Sequence, residues 1–496
     1  MAGEAPLPLQ QSEPPPDRKA RSAMPLPPLE RRPIVRPIYI LALIAAAILV
    51  ATYLVTGGGD VETLIASLMP QDNSNDQTTK QPQRADGYTG PNLTPKDVEK
   101  FQSAADKGDG YAQFRLGVIY EYGLGGYPKD TAAAARYYRL AADQGQWKAQ
   151  YNLALFYESG RDGIPKDEVA AVKLLQLAAA QKDSYAQRDL AWYYRYGRGG
   201  LDKSESEAFR LYKLAADKGD AGARQALGDF YWNGLGGLAK DETEAVRLYR
   251  LAANQGDGEA EEELGWIYDN GGGGIEKDER QAVLHYKAGA ERGNAGAEEA
   301  LAWKYYQGQG GLDKDEAEAI RLLKSAADHG SSRAKVSVAR AYLNGSASLP
   351  RNLLQAAYYY KWAAEDGDAI GQRMTAYMYL KGFGGLPQSE TEAARLYRLA
   401  ADQGDANAID VLGDMTLNGQ GDIAKDEVAA RKLFEKAAAA GFAKASYDLG
   451  LMYDYGQGGL SQDHARALSL FKDAAAHGYD PAQDAVRRLD GLDDKP

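Results

Sequence analysis

Glycine and alanine recur along this chain at a fixed interval of 37 residues, and that period limits the fold more than any other feature. The segments AADKGD, AADQGQ, AADKGD, AANQGD, AADHGS, AAEDGD and AADQGD place glycines at 108, 145, 219, 256, 330, 367 and 404, and Gly293, Gly441 and Gly478 continue the series. The one gap falls at Lys182. A strict period without insertions marks a repeat array, in which each unit is one supersecondary element stacked on its neighbours.

Each unit reads as two helices. Helix A carries Leu116-Gly117 with Tyr120, repeated as Leu153-Ala154 with Tyr157, Leu227-Gly228 with Tyr231, Leu264-Gly265 with Tyr268 and Leu449-Gly450 with Tyr453. Residues four apart share a helix face, and the small residue between them lets a second helix come close. Helix B is expected to start after Asp130, Asp167, Ser204, Asp241, Asp278, Asp315, Asn352, Ser389, Asp426 and Asp463, all good N-caps. Glu207, Glu244, Glu318 and Glu392 stand three residues on, as capping boxes require. A recurrent Ala follows, with an aromatic or Leu four later, as at Tyr138, Leu175, Tyr212 and Phe434. The A–B loops carry glycine at 123, 160, 197, 234, 271, 308, 345, 382, 419 and 456. A helix pair cannot bury its own apolar faces, whereas stacked pairs can, which predicts an α-solenoid.

The stretch from Ala112 to Gly145, AQFRLGVIYEYGLGGYPKDTAAAARYYRLAADQG, resembles Sel1-like repeats, relatives of the tetratricopeptide repeats. The resemblance spans residues 94–490, from a half unit (TPKDVEKFQSAADKG) to an unpaired helix A (DPAQDAVRRLD), with 491–496 as a tail. Lys182, the loop GSASLPRN and Thr416 depart from the pattern. It implies an all-α, right-handed superhelical solenoid whose A helices line the concave side. It also implies an adaptor or assembly scaffold, and many bacterial members are exported or envelope-associated; a periplasmic regulator that sequesters a sensor or enzyme is the alternative reading, and an enzyme is the least favoured.

Ahead of the array, residues 38–56 (IYILALIAAAILVATYLVT) carry no charge. As a helix they rise about 28 Å, close to the hydrocarbon thickness of a bilayer. Six basic residues, Arg18, Lys19, Arg21, Arg31, Arg32 and Arg36, precede this run, and the next basic residue after it is Lys80. The positive-inside rule then expects a cytoplasmic N-terminus and a solenoid outside, on a transmembrane signal anchor. A cleavable signal peptide fits less well, because its apolar core is shorter and its leader does not run 37 residues. Residues 1–37 are Pro-rich, an expected disordered tail with a PxxP motif as an alternative reading, and 57–93 are a flexible linker.

Composition excludes several chemistries. There is no cysteine, so no disulfide, thiolate metal site or thiol nucleophile. Net charge is −12, which disfavours nucleic acid. The four histidines are His285, His329, His464 and His477; His329 and His477 stand just before a helix-terminal glycine, where a cation complements the helix dipole. GGGG at 271–274 aligns with GLGG and GQGG of other A–B loops and follows no strand, so it reads as a turn rather than a phosphate cradle. No cofactor and no metal site is expected.

Binding is better supported than catalysis. The residue two after the helix A leucine lies about 200° round the helix and is expected to face solvent. There the copies are Val118, Leu155, Trp192, Asp229, Trp266, Trp303, Arg340, Tyr377, Asp414 and Leu451. Glu259, Glu262, Glu299 and Arg373 share that face four and seven residues earlier. Aromatic anchors among mixed charges suit a groove for a protein or peptide partner, and Trp with carboxylates also suits a glycan. The competing reading packs these side chains between adjacent A helices. Glu261 and Glu298, equivalent to each other, read either as a patch for a basic partner or as a solvated face, the second being the favoured expectation.

Overall fold

The structure is a computed structural model and describes residues 93–160, 164–346 and 348–493. The Pro-rich tail, the apolar run and all but the last residue of the linker lie outside these, as do residues 494–496. Among the described residues no helix is long and apolar enough to cross a membrane. They form two compact bodies, divided between Lys240 and Asp241.

The first body holds α1 (Pro95–Asp106), α2 (Gly110–Tyr122), α3 (Thr131–Asp143), α4 (Trp147–Ser159), α5 (Glu168–Ala180), α6 (Ser184–Tyr196), α7 (Glu205–Asp217) and α8 (Ala221–Asn233). The second holds α9 (Glu242–Ala253), α10 (Gly258–Asn270), α11 (Glu279–Glu291), α12 (Ala295–Gln307), α13 (Glu316–Asp328), α14 (Ser332–Asn344), α15 (Leu353–Glu365) and α16 (Ala369–Lys381), then α17 (Glu390–Asp402), α18 (Ala406–Asn418), α19 (Glu427–Ala439), α20 (Ala443–Tyr455), α21 (His464–Ala476) and α22 (Pro481–Asp493). Even-numbered helices are A helices and odd-numbered ones B helices; repeats 1 to 10 begin at α2 to α20. Among the described residues the array opens on an unpaired B helix, α1, and closes on an unpaired A helix, α22.

Within a repeat, helix A meets the following helix B through its small residue. A Cβ added at Gly117 would lie 2.5 Å from ring carbons of Tyr138; at Gly265 it would lie 2.6 Å from those of Tyr286, and at Gly413 2.5 Å from Phe434. These rings are fully buried, and with the recurrent alanines of helix B they form the core. Successive A helices also touch, as α2 does α4, α10 does α12 and α14 does α16.

All ten expected N-caps of the B helices accept a backbone N–H through the side chain. The capping boxes do not form at Glu207, Glu318 and Glu392. In those repeats the cap's own N–H already donates to helix A: Ser204 N to the Tyr194 carbonyl at 2.8 Å, Asp315 N to Tyr305 at 2.9 Å and Ser389 N to Tyr379 at 2.9 Å. With that donor taken, each glutamate pairs instead with the arginine three residues on, Arg210, Arg321 and Arg395. Glu244 likewise pairs with Arg247. The box that does close is at Thr94 and Asp97, in α1.

The GGGG loop also differs from its aligned copies. Most A helices end on a glycine in the left-handed region, such as Gly234 (φ 66°, ψ 40°) and Gly308 (φ 70°, ψ 47°). Gly271 and Gly345 have similar φ but ψ of 165° and 159°. The chain then closes a tight hairpin, Gly272 to Ile275 in repeat 5 and Ser346 to Leu349 in repeat 7. Lys182 keeps the left-handed φ (69°) of the glycines it replaces, the one non-glycine among the described residues to do so. For an L-residue that conformation costs about 1 kcal/mol.

A polar lock runs through the repeats at the fourth residue of helix A. Gln113, Gln150, Gln187, Glu261, Glu298, Lys335, Gln372 and Ser446 are all buried there. Most reach the residue that caps the C-terminus of helix B, 31 positions on. Gln144 donates to Gln113 at 2.7 Å, Gln181 to Gln150 at 2.9 Å, Lys218 to Gln187 at 3.2 Å and Gln403 to Gln372 at 2.8 Å. Glu261 meets Arg292 at 3.7 Å and His285 at 2.8 Å, Glu298 meets His329 at 2.9 Å, and Lys335 pairs with Asp366. Where one partner changes charge, the other compensates. Glu261 and Glu298 are therefore 7% and 3% exposed rather than solvated, because each has an internal cation. His329 also does more than complement a dipole, since its ring nitrogen meets the Glu298 carboxylate.

Two outcomes follow for this lock. Lys335 is 2% exposed, so Lys335→Glu should cost about 3 kcal/mol or more by facing Asp366 with a like buried charge. Adding Asp366→Lys should recover much of that loss in denaturant titrations, whereas a site that needed only lysine's bulk would show no recovery. Hydrogen bonding to Glu298 holds the His329 imidazolium above the ordinary histidine range, although burial opposes it. A raised histidine contributes fully below about pH 6.5 and loses its contribution as pH climbs through the folded-state value. The denaturation midpoint of the wild type should thus exceed that of His329→Gln more at pH 5.5 than at pH 8.5; an equal margin at both would show that the pair does not titrate.

Candidate interaction surface

The fifth residue of helix A reaches across to the next A helix. Arg188 in α6 pairs with Asp189 at 2.8 Å and with Asp220, the N-cap of α8, at 3.4 Å. Tyr151 in α4 donates its hydroxyl to Asp189 at 2.9 Å, and burial pushes that phenol up. In the second body Glu299 accepts from Ser331, the N-cap of α14, and from Arg333. Arg373 in α16 donates to Asp405, the N-cap of α18, at 3.0 Å. Glu262 lies over the start of α12, where a Cβ on Gly296 would run into its carboxylate. At this position Arg188, Glu299 and Arg373 each bond to the start of the next A helix.

The ninth residue of helix A is where solvent exposure was expected. Val118 is fully buried, and Leu155, Trp192, Asp229, Trp266, Trp303, Arg340, Tyr377, Asp414 and Leu451 are half-buried. The reason is the close approach of consecutive A helices, which leaves a 200° rotation from the core short of open water. Arg340 approaches the Tyr360 hydroxyl and Asp368. The surface these side chains present is partial: ring edges and faces between helices.

The A–B loop trims that surface differently in each repeat. The Arg198 guanidinium lies 5.1 Å from the Trp192 ring centroid, and Tyr193 and Tyr196 pack on the same indole. Phe383, from the equivalent loop position, meets Tyr377 edge-on at 6.2 Å. In repeat 6 that position is Gln309, which is exposed, and Trp303 is backed by Tyr306, stacked at 5.9 Å with an interplanar angle of 25°. Lys314 lies over Tyr306 at 5.4 Å. Glu259 is exposed on the first turn of α10, on the same helix as Glu262 and Trp266.

The structure thus gathers Glu299, Trp303 and their neighbours Arg333, Tyr306 and Lys314 on α12, its loop and the next A helix. Trp192 belongs to repeat 3, in the first body, and Arg373 and Tyr377 belong to repeat 8. Two sets of residues escaped the sequence reading. One is the polar lock, whose signal is the paired change of residues 31 apart once the repeats are aligned. The other is the tenth residue of helix A, buried at Ile119, Phe156, Tyr193, Phe230, Ile267 and Met378. In repeat 6 this place holds Lys304, which pairs with Asp269 at 2.7 Å.

Comparison with known proteins gives the array its family. The Sel1 repeat profile matches ten consecutive segments, 110–146, 147–183, 184–220, 221–257, 258–294, 295–331, 332–368, 369–405, 406–442 and 443–479. Among solved structures, the chain is similar to a protective antigen of uropathogenic Escherichia coli strains that displays an SLR fold. Identity is 28% over 80% of this chain and 90% of that one, with a TM-score of 0.41. It is also similar to a Sel1 repeat protein from Oxalobacter formigenes, 35% identical over 47% of this chain and 90% of that one, TM-score 0.44. An immunity protein from Pseudomonas aeruginosa aligns at 21% identity over 45% of this chain and 82% of its own, TM-score 0.32. No curated protein matches the sequence. With every repeat from 110 to 479 accounted for, the chain belongs to the Sel1 repeat family.

Proposed function

We propose that this Sel1 repeat protein is a non-enzymatic adaptor. It holds a protein or peptide partner on the A helices of its second body and stands on the non-cytoplasmic side of a membrane through residues 38–56. The reading extends to a role in envelope assembly, localisation or secretion. Trp303 is the observation that carries the docking part. It is a large aromatic ring, half-buried, backed by Tyr306 and flanked by the Glu299–Arg333 pair, with only the exposed Gln309 at the loop position that covers Trp192 and Tyr377 in their repeats. Rigid aromatics beside satisfied charges are the composition of binding hot spots. The apolar run and the basic residues before it support the anchor.

Crosslinking in native membranes, followed by mass spectrometry, identifies the partner, and Trp303→Ala tests the surface. Loss of at least 10-fold in partner affinity with an unchanged melting midpoint is expected, since central hot-spot aromatics contribute about 2 kcal/mol or more. Undiminished binding, or binding lost only in step with unfolding, would return Trp303 to a packing role. Recovery of a glycan in place of a protein would redirect the reading to sugar recognition. Deleting 38–56 should release the chain from the membrane fraction.

A further inference from the structure

The ninth and tenth repeats join through a crowded charge cluster. In other repeats one charge on an A helix meets one opposite charge at the start of the next, as Arg188 does Asp220 and Arg373 does Asp405. Between α18 and α20 a single ammonium faces three carboxylates. Lys444 Nζ lies 2.9 Å from Asp410, 2.9 Å from Asp414 and 2.6 Å from Asp448. The nearest carboxylate oxygens lie within 4.8 Å of one another, which leaves like charges crowded around one cation. The side chain of Asp410 is 1% exposed and that of Asp414 40%. Asp410 Oδ1 is buried and has no hydrogen-bond partner.

With all three acids ionised the cluster carries one cation for three anions, two of the carboxylates away from water. That arrangement is costly. One proton relieves it: a protonated Asp410 removes one buried negative charge and turns an orphan acceptor into a possible donor toward Asp448. The titratable neighbours of Asp410 are Lys444, Asp414 and Asp448, with the Tyr479 phenol next beyond them. Helices α17 and α19 pack on α18 through Tyr397, Ala401, Leu433 and Ala437, none of which carries a charge.

We propose that Asp410, Asp448 and Lys444 form a proton-tightened clasp between α18 and α20, which couples the last two complete repeats more firmly in acid than in base. The electrostatics agree in direction. Burial pushes the Asp410 carboxyl up to about 7 even though Lys444 pulls it down, and burial raises Asp448 as well. For an acid raised in this way, the stabilising contribution is full below the unfolded value near 4. It declines as pH rises and is gone above about 7.

Asp410→Asn tests the clasp in the full chain, because the amide is uncharged at every pH. At pH 8 the melting midpoint of Asp410→Asn should exceed that of the wild type by about 3 °C or more, and the gap should close toward pH 5. His329 titrates in both proteins and cancels from the difference. Carbon-13 shifts of the aspartate carboxyls should place Asp410 well above the ordinary carboxylate range in the wild type. A gap that does not change with pH, or an Asp410 carboxyl that titrates near 4, would overturn the proposal. If Asp410→Asn does not fold, Asp448→Asn with the same carboxyl measurement decides it: a fall in the Asp410 titration midpoint relative to the wild type supports the clasp, and an unchanged midpoint refutes it.

Discussion

The contact between the small residue of helix A and the ring of helix B sets the geometry of everything else. Gly117 under Tyr138, Gly265 under Tyr286 and Gly413 under Phe434 bring the two helices so close that a methyl group would collide. At that distance the N-cap amide of helix B falls within reach of the carbonyl of the helix A tyrosine, ten residues earlier, and the bond recurs at 2.8 Å in Asp130, Asp167 and Ser204. The loop between them is then held at both ends. Its length cannot change without breaking either the ring contact or the amide bond, which is why eleven repeat marks from 108 to 478 fit one interval.

Polar groups in this array serve the scaffold before they serve any ligand. Buried side chains at the fourth place of helix A find partners inside their own repeat, and those at the fifth place find them on the next A helix. Both arrangements satisfy groups that would otherwise be desolvated and alone. A surface built on the A helices therefore consists of what these bonds leave over, chiefly the half-buried ninth-place residues and the loop side chains that cover some of them.

The sequence made the helix pairs, their N-caps, the two half units and the loop glycines legible, because each depends on local spacing. Solvent exposure was less legible. A helical wheel treats helix A as packed on one side, whereas α10 touches α11 and α12, so Trp266 and its copies lie half in the protein. The same shortfall applied to Glu261 and Glu298, whose partners stand 24 to 31 residues away and become visible only when repeats are compared pair by pair. The capping boxes failed for a related reason: the local motif was present, but a donor it needs had been claimed by a non-local carbonyl.

The polar lock also defines what counts as one module. Its two halves, such as Lys335 and Asp366, lie at the start of helix A and the end of helix B of a single repeat. A segment cut just before helix A carries both halves of its own lock. A segment cut in the A–B loop carries one half of two different locks, and joined to a foreign repeat it sets Glu against Asp or Lys against Arg. Exchange of repeats between such arrays is therefore tolerated at one breakpoint and penalised at the other. The electrostatic grammar is private to each repeat, and it permits the array to be recombined in whole units while discouraging hybrids within a unit.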